Sequence, residues 1–311
     1  MINARLYEKI IAEKPDGFKE FPYNILPLNQ IEELKKIPRL VIGEIAGVDS
    51  MVVLYESLKH IKVDAVMLMS AYTGTGYGER KSLWKNLQAL KRNIEKTHNV
   101  YCTEPVVLGA PQFWGALNGR FMQELLARFK FYCPCFGCRL YLYALRVPLC
   151  KELNINTVIS GSINRNGGRS KLHETNTVIY CCANLLSSFG IKLIYNIIDK
   201  DTGAEVKNAV SIKTIEEQDD CYPCIFRKNY QLLDGMWKEP SNLNHFFERF
   251  LIPAAAKIIS KVLSGRDFDY YSEVIDALSP GVKQKKTKII YQVRIRKSSA
   301  DKQYGIPLAM I

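Results

Sequence analysis

The chain has 311 residues, of which 47% are hydrophobic and 24% are charged, which is ordinary for a soluble globular protein with one large domain and a smaller one. No apolar run approaches the roughly 18 residues that a membrane span requires, and residues 1–20 lack a signal-peptide pattern, so we expect a cytoplasmic protein with no membrane partner. The formal net charge of +12 favours a polyanionic partner such as tRNA, with a basic surface that lacks this role as the alternative.

The first part of the chain divides into a leader and a long alternating region. Residues 1–36 are interrupted by prolines and carry a helical pattern from Gln30 to Lys36, and we expect an N-terminal leader that packs on the main domain. From residue 37 to residue 235, apolar runs alternate with amphipathic segments. The apolar runs are Leu40–Ile45, Ala65–Met69, Val106–Leu108, Thr157–Ser160 and Lys192–Ile197. The amphipathic segments are Ser50–His60, Lys81–Lys96, Phe121–Lys130, Cys138–Leu153 and Thr175–Phe189.

This alternation is typical of βαβ units. It predicts an α/β fold with a doubly wound parallel sheet over residues 37–235. In such sheets ligands bind at the carboxyl ends of the strands. The loops that follow the predicted strands are therefore the places where functional residues are expected.

The alternation ends before residues 236–311, which have a different pattern. Two helices are predicted there, Asn242–Leu263 and Asp267–Leu278, as a small helical C-terminal appendage. The tail from Lys283 to Lys297 has seven Lys or Arg residues and no acidic residue. Within it, Ile289–Arg296 alternates apolar with polar or basic residues, which fits either a strand with one basic face or a solvated tail.

The first predicted strand runs into Ile45-Ala46-Gly47-Val48-Asp49-Ser50, which a helical segment follows directly. A tight turn of small residues between a strand and a helix offers backbone N–H groups and the positive helix end to an anion. Asp49 and Ser50 stand at the helix start, where such a pair is also a common N-cap. The pattern alone therefore indicates either a phosphate-binding loop or an ordinary helix start.

Three cysteines fall within six residues, in Cys133-Pro-Cys135-Phe-Gly-Cys138. A C-x-x-C spacing lets two thiolates bind one metal ion, and a helix N-terminus favours the thiolate. A second pair, Cys221 and Cys224, has the same spacing. Because closely spaced thiols in a reducing compartment are more often ligands or catalytic groups than disulfides, the sequence predicts a cysteine-ligated metal centre. The other cysteines fit buried small hydrophobic residues better; they are Cys102, Cys150, Cys181 and Cys182.

The loop at residues 45–50 resembles the PP-loop of the ATP pyrophosphatase superfamily, whose usual form is Ser-Gly-Gly-x-Asp-Ser after the first strand. Gly47, Asp49 and Ser50 match that form, while an Ile and an Ala stand at its first two positions. The resemblance implies a Rossmann-like PP-loop ATPase fold. It also implies that these three residues bind ATP with Mg²⁺, that Asp49 is catalytic, and that the backbone at Met69 holds the adenine ring.

Together with the first cysteines, this loop resembles the iron–sulfur tRNA thiolation enzymes, which make thiocytidine or thiouridine. In that branch a C-x-x-C motif opens a helix, the next strand ends in Gly-His, and a further cysteine follows. Cys135 and Cys138 match the motif, Gly161 and a serine replace Gly-His, and Cys221 or Cys224 is the further cysteine. The resemblance covers roughly residues 37–230. It implies that Gly161 contacts the nucleotide. It also implies a 4Fe-4S cluster that is held by three cysteines and has one iron free to bind sulfide. Cys133 is then left as a catalytic sulfur relay.

The chain departs from this branch after the strand that begins at Thr157. The acidic pair expected there is replaced by Asn164-Arg165-Asn166. Arg165, Arg169 and Lys171 are candidates for direct phosphate contacts, with a solvated basic loop as the alternative.

A second resemblance concerns the later cysteine pair, because Cys221, Cys224 and Arg227 form a Cys-x-x-Cys-x-x-Arg motif like that of the deazaguanine nitrile synthases, where cysteines bind structural zinc. If both C-x-x-C pairs bind one ion, a closed tetrahedral Zn²⁺ site is expected. The histidines show no metal-ligand spacing, and we expect them to be structural.

The residues support three functional hypotheses. The first is an ATP-dependent sulfur-transfer enzyme that adenylates an oxygen of a tRNA or other nucleobase and replaces it with sulfur from a sulfur donor. The second is a zinc-stabilised ligase or amidotransferase that acts on a small molecule such as a deazaguanine-type base. The third is a non-catalytic nucleotide binder. The sequence names neither the acceptor nor the sulfur donor, and a homodimer is one candidate assembly.

Overall fold

The structure is a computed structural model that describes residues 14–22, 25–76, 81–164, 171–199, 224–226, 230–231, 236–278 and 296–297. The strands within these residues form one eight-stranded sheet, and each described pairing is parallel. The strands are β1 (Phe18–Glu20), β2 (Leu40–Glu44), β3 (Ala65–Tyr72), β4 (Tyr101–Cys102), β5 (Val106–Gly109), β6 (Thr157–Asn164), β7 (Lys192–Asp199) and β8 (Arg296–Lys297).

Helices connect these strands and continue beyond them. They are α1 (Leu28–Leu34), α2 (Val48–Ser57), α3 (Lys81–His98), α4 (Pro111–Leu117), α5 (Met122–Phe129), α6 (Pro134–Ala144), α7 (Val147–Glu152), α8 (Asn176–Ser188), α9 (Leu243–Phe246), α10 (Ile252–Leu263) and α11 (Tyr270–Leu278). A 3₁₀ turn, Leu172–Glu174, precedes α8, and a π-helical turn, Phe247–Leu251, joins α9 to α10.

The strand order is β1-β5-β3-β2-β6-β7-β8, with β4 beside β3. From β2 the chain first builds the sheet towards β3 and β5, and it then returns to place β6 on the other side of β2. This reversal confirms the predicted doubly wound parallel sheet and puts its topological switch point between β2 and β6, where ligands of such sheets bind.

Alternate residues of the central strands pack on opposite faces of the sheet, as the period of two in a strand requires. Ile42 and Met67 belong to one apolar core, whereas Val41 and Val66 belong to another. The first core includes α6, α7, α8 and the C-terminal helices, and the second includes α2 and α3. The sheet therefore has helices on both faces, which explains why its strands are almost continuously apolar.

The helical C-terminal region is present from Leu243 to Leu278, with boundaries that differ from the prediction. The single predicted helix Asn242–Leu263 is interrupted by the π-helical turn. Its apolar face, which includes Phe247, Phe250 and Ile258, is buried in the same core as α6. The C-terminal helices thus pack against α6, α7 and α8, which cover this face of the sheet.

Other predicted boundaries were wrong for identifiable reasons. The segment Cys138–Leu153 is not one helix, because α6 ends at Ala144 and α7 begins with Val147-Pro148, and proline is tolerated only in the first turn of a helix. Strands β3 and β6 both extend past their predicted ends. In β6 the polar Ser162 interrupts the apolar pattern beyond the predicted end at Ser160, and Gly161 lies inside the strand and not in a loop.

The edges of the sheet contain segments whose pairing has no clear sequence signal. In the leader, β1 pairs with β5 through Lys19 and Leu108, which shows that this part of the leader joins the sheet. At the opposite edge, Arg296 pairs with Asn196 of β7. The sequence predicts either a strand or a solvated tail for the segment that begins at Ile289, and residues 289–295 of this segment lie outside the described residues. Among the described helices, none is long and apolar enough to cross a membrane.

Substituting Gly161 with alanine should destabilise the fold. A Cβ at this position would lie 2.2 Å from the carbonyl oxygen of Asn196 and 2.3 Å from Cγ1 of Val53, so β7 or α2 would have to shift. We expect Gly161→Ala to lower the free energy of unfolding by about 1–3 kcal/mol in urea denaturation. Gly119→Ala is the matched control, because its Cβ would meet only a ring atom at 3.8 Å. Equal stability of the two variants would contradict the close packing at Gly161.

Candidate functional site

Residues 45–50, hereafter the Gly47 loop, join β2 to the first turn of α2, and one buried hydroxyl shapes this segment. Ser50 Oγ accepts hydrogen bonds from the backbone N–H groups of Ala46 at 2.9 Å and Gly47 at 3.1 Å, and it donates to the Gly47 carbonyl at 2.7 Å. Ser50 is almost fully buried. Its hydroxyl therefore fixes the shape of the loop, and a contact between Ser50 and ATP stays a prediction.

The backbone at Gly47 is open to an approaching ligand. Its φ of −179° is extended, and a Cβ built at this position would have no atom within 4 Å. The glycine therefore leaves free space in front of the first turn of α2. The first N–H groups of a helix have no partner within the helix and attract anions, so this geometry suits a phosphate group.

The segment after β6 returns to the Gly47 loop, as expected at a switch point. Lys171 Nζ lies 3.7 Å from Asp49 Oδ2 and also 3.7 Å from Glu174 Oε1. Asp49 stands in the first turn of α2. Lys171 thus brings positive charge to the loop, whereas the other predicted phosphate contacts, Arg165 and Arg169, lie outside the described residues.

A buried ion pair lies next to the Gly47 loop, at the carboxyl end of β2. Glu44 ends β2, and Arg146 lies between α6 and α7; both side chains are 1% exposed, with 3.6 Å between Arg146 Nη2 and Glu44 Oε1. Ser160 Oγ donates to Glu44 Oε2 at 2.7 Å, and Arg146 Nη2 donates to the Met69 carbonyl at 3.0 Å. These bonds connect β2, β3 and β6 to the start of α7.

Side chains of α6 extend this network across the sheet. Tyr141 Oη donates to the Tyr72 carbonyl at 2.7 Å and accepts from the Ala110 N–H at 2.8 Å. Tyr143 Oη is 3.0 Å from Ser160 Oγ. Arg139 Nη2 donates to Tyr195 Oη of β7 at 3.3 Å. Hydrogen bonds thus join α6 to the carboxyl end of β3, to the middle of β6 and β7 and to the residue after β5, and they fix the position of α6 relative to the Gly47 loop.

Three of the predicted cysteines lie at the N-terminus of α6. Cys133 is the N-cap residue, and Cys135 and Cys138 lie within the first turns. The hydrogen bond with Cys135 lowers the pKa of the Cys133 thiol and raises the pKa of Cys135. Burial raises the pKa of Cys138 to about 12. One thiolate is therefore favoured within the Cys133–Cys135 pair.

Cys224 joins these cysteines from a distant part of the chain. Its Sγ is 3.4 Å from Thr75 Oγ1, and the Ile225 N–H donates to the Thr75 carbonyl at 3.0 Å. Phe226 stacks on Trp114 of α4 with ring centroids 5.9 Å apart. The charge of a Cys224 thiolate contributes to the raised pKa values of Cys135 and Cys138, so Cys224 approaches the first C-x-x-C motif at this edge of the sheet.

We call Cys133, Cys135, Cys138 and Cys224 the cysteine group. All four are free thiols, and soft thiolate donors are chemically suited to zinc or an iron–sulfur cluster. However, in the described part of the chain no three His, Cys, Asp or Glu side chains are arranged to hold a metal ion. Cys221 lies outside the described residues. The donor chemistry fits a metal centre, while the assembled centre stays a prediction.

The four cysteines that were predicted to be buried hydrophobic residues are confirmed as such. Each is at most 3% exposed, and burial raises the pKa of each thiol. They are Cys102, Cys150, Cys181 and Cys182. Thiols of this kind are poor nucleophiles.

Two predicted nucleotide contacts occupy packed positions. The Met69 side chain is buried, and its carbonyl accepts from Arg146 and from the Ile45 N–H at 2.9 Å. Gly161 faces α2 and the backbone of β7, so its lack of a side chain is required by packing. Contacts of either residue with a nucleotide stay predictions.

A junction between the Gly47 loop and the cysteine group was missed by the sequence analysis. The rings of His173 and Tyr230 meet edge to face, 6.3 Å apart. Burial raises the pKa of Tyr230 to about 12, and the nearby charges of Cys135 and Glu174 act in the same direction. Glu174 also contacts Lys171. No motif marks these residues, because their role arises from the turn that places them between two sites.

No known protein-family model matches this sequence. The chain is 28% identical over 262 residues to the uncharacterized protein MJ0009 of Methanocaldococcus jannaschii, and the match covers 83% of this chain and 94% of that protein. The name of this relative states no activity, so the similarity assigns none to this chain.

Stability should fall when His173 is forced to take up a proton. Burial and the positive charges of Arg139 and Lys171 lower the pKa of His173 well below its usual value, so the folded protein holds a neutral imidazole. Below about pH 6.5 the unfolded chain binds a proton that the folded chain does not. The free energy of unfolding should thus be fully retained above pH 6.5 and fall by at most ~1.4 kcal/mol per unit below it.

Urea denaturation between pH 5 and 8 measures this effect. His173→Leu should have a shallower dependence on pH below 6.5 than the wild type, while His60→Leu, at an exposed position, should keep the wild-type slope. The same slope in all three proteins would mean that His173 is not held neutral.

Proposed function

We propose that the chain is an ATP-dependent, adenylating sulfurtransferase that acts on an RNA base, with ATP at the Gly47 loop and a metal centre at the cysteine group. One observation carries the proposal: the Gly47 loop follows the carboxyl end of β2, and Cys224 of the cysteine group contacts Thr75, which follows the carboxyl end of β3 in the same parallel sheet. The contacts from Asp49 through Lys171 and Glu174 approach Tyr230 and the cysteines. This continuity favours one composite site over two separate ones.

In the proposed reaction, the chain first binds and orients ATP. Backbone N–H groups at the start of α2 hold the phosphates, and the positive end of the helix offsets their charge. Asp49, in the first turn of α2, would provide a carboxylate for Mg²⁺ together with phosphate oxygens. An oxygen of the base attacks the α-phosphorus, pyrophosphate leaves, and the adenylated oxygen is then displaced as AMP by sulfur.

The cysteine group would hold the sulfur-handling centre. Cys135, Cys138 and one of Cys221 and Cys224 would be ligands, and Cys133 is the adjacent thiol that could relay sulfur. A 4Fe-4S cluster with three thiolate ligands supplies one iron that can carry sulfide. The net charge of +12 is consistent with tRNA as the macromolecule that presents the base.

A second candidate is a zinc-stabilised ligase or amidotransferase that acts on a small molecule such as a deazaguanine-type base. The approach of Cys224 to the first C-x-x-C motif favours it, because four thiolates from the two motifs would make a closed tetrahedral zinc site. In that case the cysteines would stabilise the position of the segment at Cys224, and the reaction would occur at the Gly47 loop alone.

Metal and sulfide analysis after anaerobic purification separates the two candidates. The sulfurtransferase should be brown and contain about four iron and four acid-labile sulfide per chain. Cys138→Ala should lose most of this iron, because one of its ligands is removed. Cys102→Ala is the matched control, since Cys102 is a buried cysteine of β4, and it should keep the wild-type iron content.

A colourless protein with one zinc per chain would contradict the sulfurtransferase and favour the second candidate. Release of pyrophosphate from ATP in the presence of bulk tRNA tests the adenylation step independently. ATP binding without release of pyrophosphate would instead favour a non-catalytic nucleotide binder.

A further inference from the structure

The ammonium group of Lys171 is shared between two carboxylates at the entrance to the Gly47 loop. It lies 3.7 Å from both Asp49 and Glu174. The Lys171 side chain is 49% exposed, whereas Asp49 and Glu174 are 18% and 11% exposed. The anions are thus held in place by the fold, while the cation can move.

The described part of this arrangement places two carboxylates beside one ammonium where an anion would bind. Two carboxylates would repel a polyphosphate at the start of α2 unless a nearby cation turned towards it. Lysine suits this task because its ammonium is a compact charge on a flexible stem. Arg139, another cation near Glu174, is buried and donates to Tyr195, so it cannot turn towards the loop without breaking that contact.

We propose that Lys171 is a specificity-determining contact for the phosphates beyond the α-phosphate, and that Glu174 is a positioning residue which holds Lys171 beside the loop until a polyphosphate arrives. This inference rests on the proposed nucleotide site and defines which nucleotides the site distinguishes. Binding moves the ammonium from Glu174 to a phosphate oxygen. The site therefore selects nucleoside triphosphates over monophosphates.

The two residues should have opposite effects on affinity. Removing Lys171 deletes a charged hydrogen bond to the polyphosphate, so Lys171→Ala should weaken ATP binding about 10- to 100-fold and leave AMP binding nearly unchanged. Glu174→Gln removes an anion that competes for the ammonium while it preserves side-chain volume. It should tighten ATP binding about 2- to 5-fold.

Isothermal titration calorimetry with ATP and with AMP measures these effects on the full chain. Lys192→Ala is the control, because Lys192 is an exposed lysine at the amino end of β7, and it should bind ATP like the wild type. Circular dichroism melting curves show whether each variant is folded.

The outcomes separate this inference from the proposed function. If the wild type binds no ATP, the nucleotide site itself is wrong and the inference fails with it. If the wild type binds ATP and Lys171→Ala binds it equally well, the inference alone is overturned. Equal losses of ATP and AMP affinity in Lys171→Ala and Glu174→Gln would show a structural role and would also overturn it.

Discussion

The buried pair of Glu44 and Arg146 is the constraint on which the rest of this site depends. Two charges with 1% exposure would be costly to bury singly, because an unpaired charge in a protein interior loses its hydration without compensation. Their pairing, together with the bonds to Ser160 and the Met69 carbonyl, joins the last residue before the Gly47 loop to the connection between α6 and α7. The orientation of α6 is therefore coupled to the loop, and the cysteines at the N-terminus of α6 are positioned by the same bonds.

Much of the fold could be predicted from the sequence because its strands are buried on both faces. Runs such as Ala65–Met69 are apolar without interruption, and amphipathic segments separate them, so the doubly wound sheet follows from the pattern. The prediction was less accurate where polar residues are buried. Ser162 lies inside β6 with its hydroxyl bonded to the buried Tyr195, and hydrophobic periodicity cannot detect such a contact.

The local parts of the candidate site were visible in the sequence, whereas its long-range parts were not. The Gly47 loop and the cysteines of α6 are contiguous segments with recognisable spacing. The contact of Cys224 with Thr75 joins residues 149 positions apart, and the Lys171 contact with Asp49 depends on the return of the chain at the switch point. The order of the strands in the sheet determines which distant segments make such contacts. The charged side chains that these contacts bring together determine which ligands the site can bind.

The central claim is that the Gly47 loop and the cysteine group form one site, and thiol protection by ATP tests it most directly. The metal-free protein would be treated with a thiol-alkylating reagent with and without saturating ATP, and the rate at each cysteine followed by mass spectrometry. One composite site predicts that ATP slows alkylation of Cys133 and Cys135. ATP binding that saturates by calorimetry while both rates stay unchanged would contradict the claim.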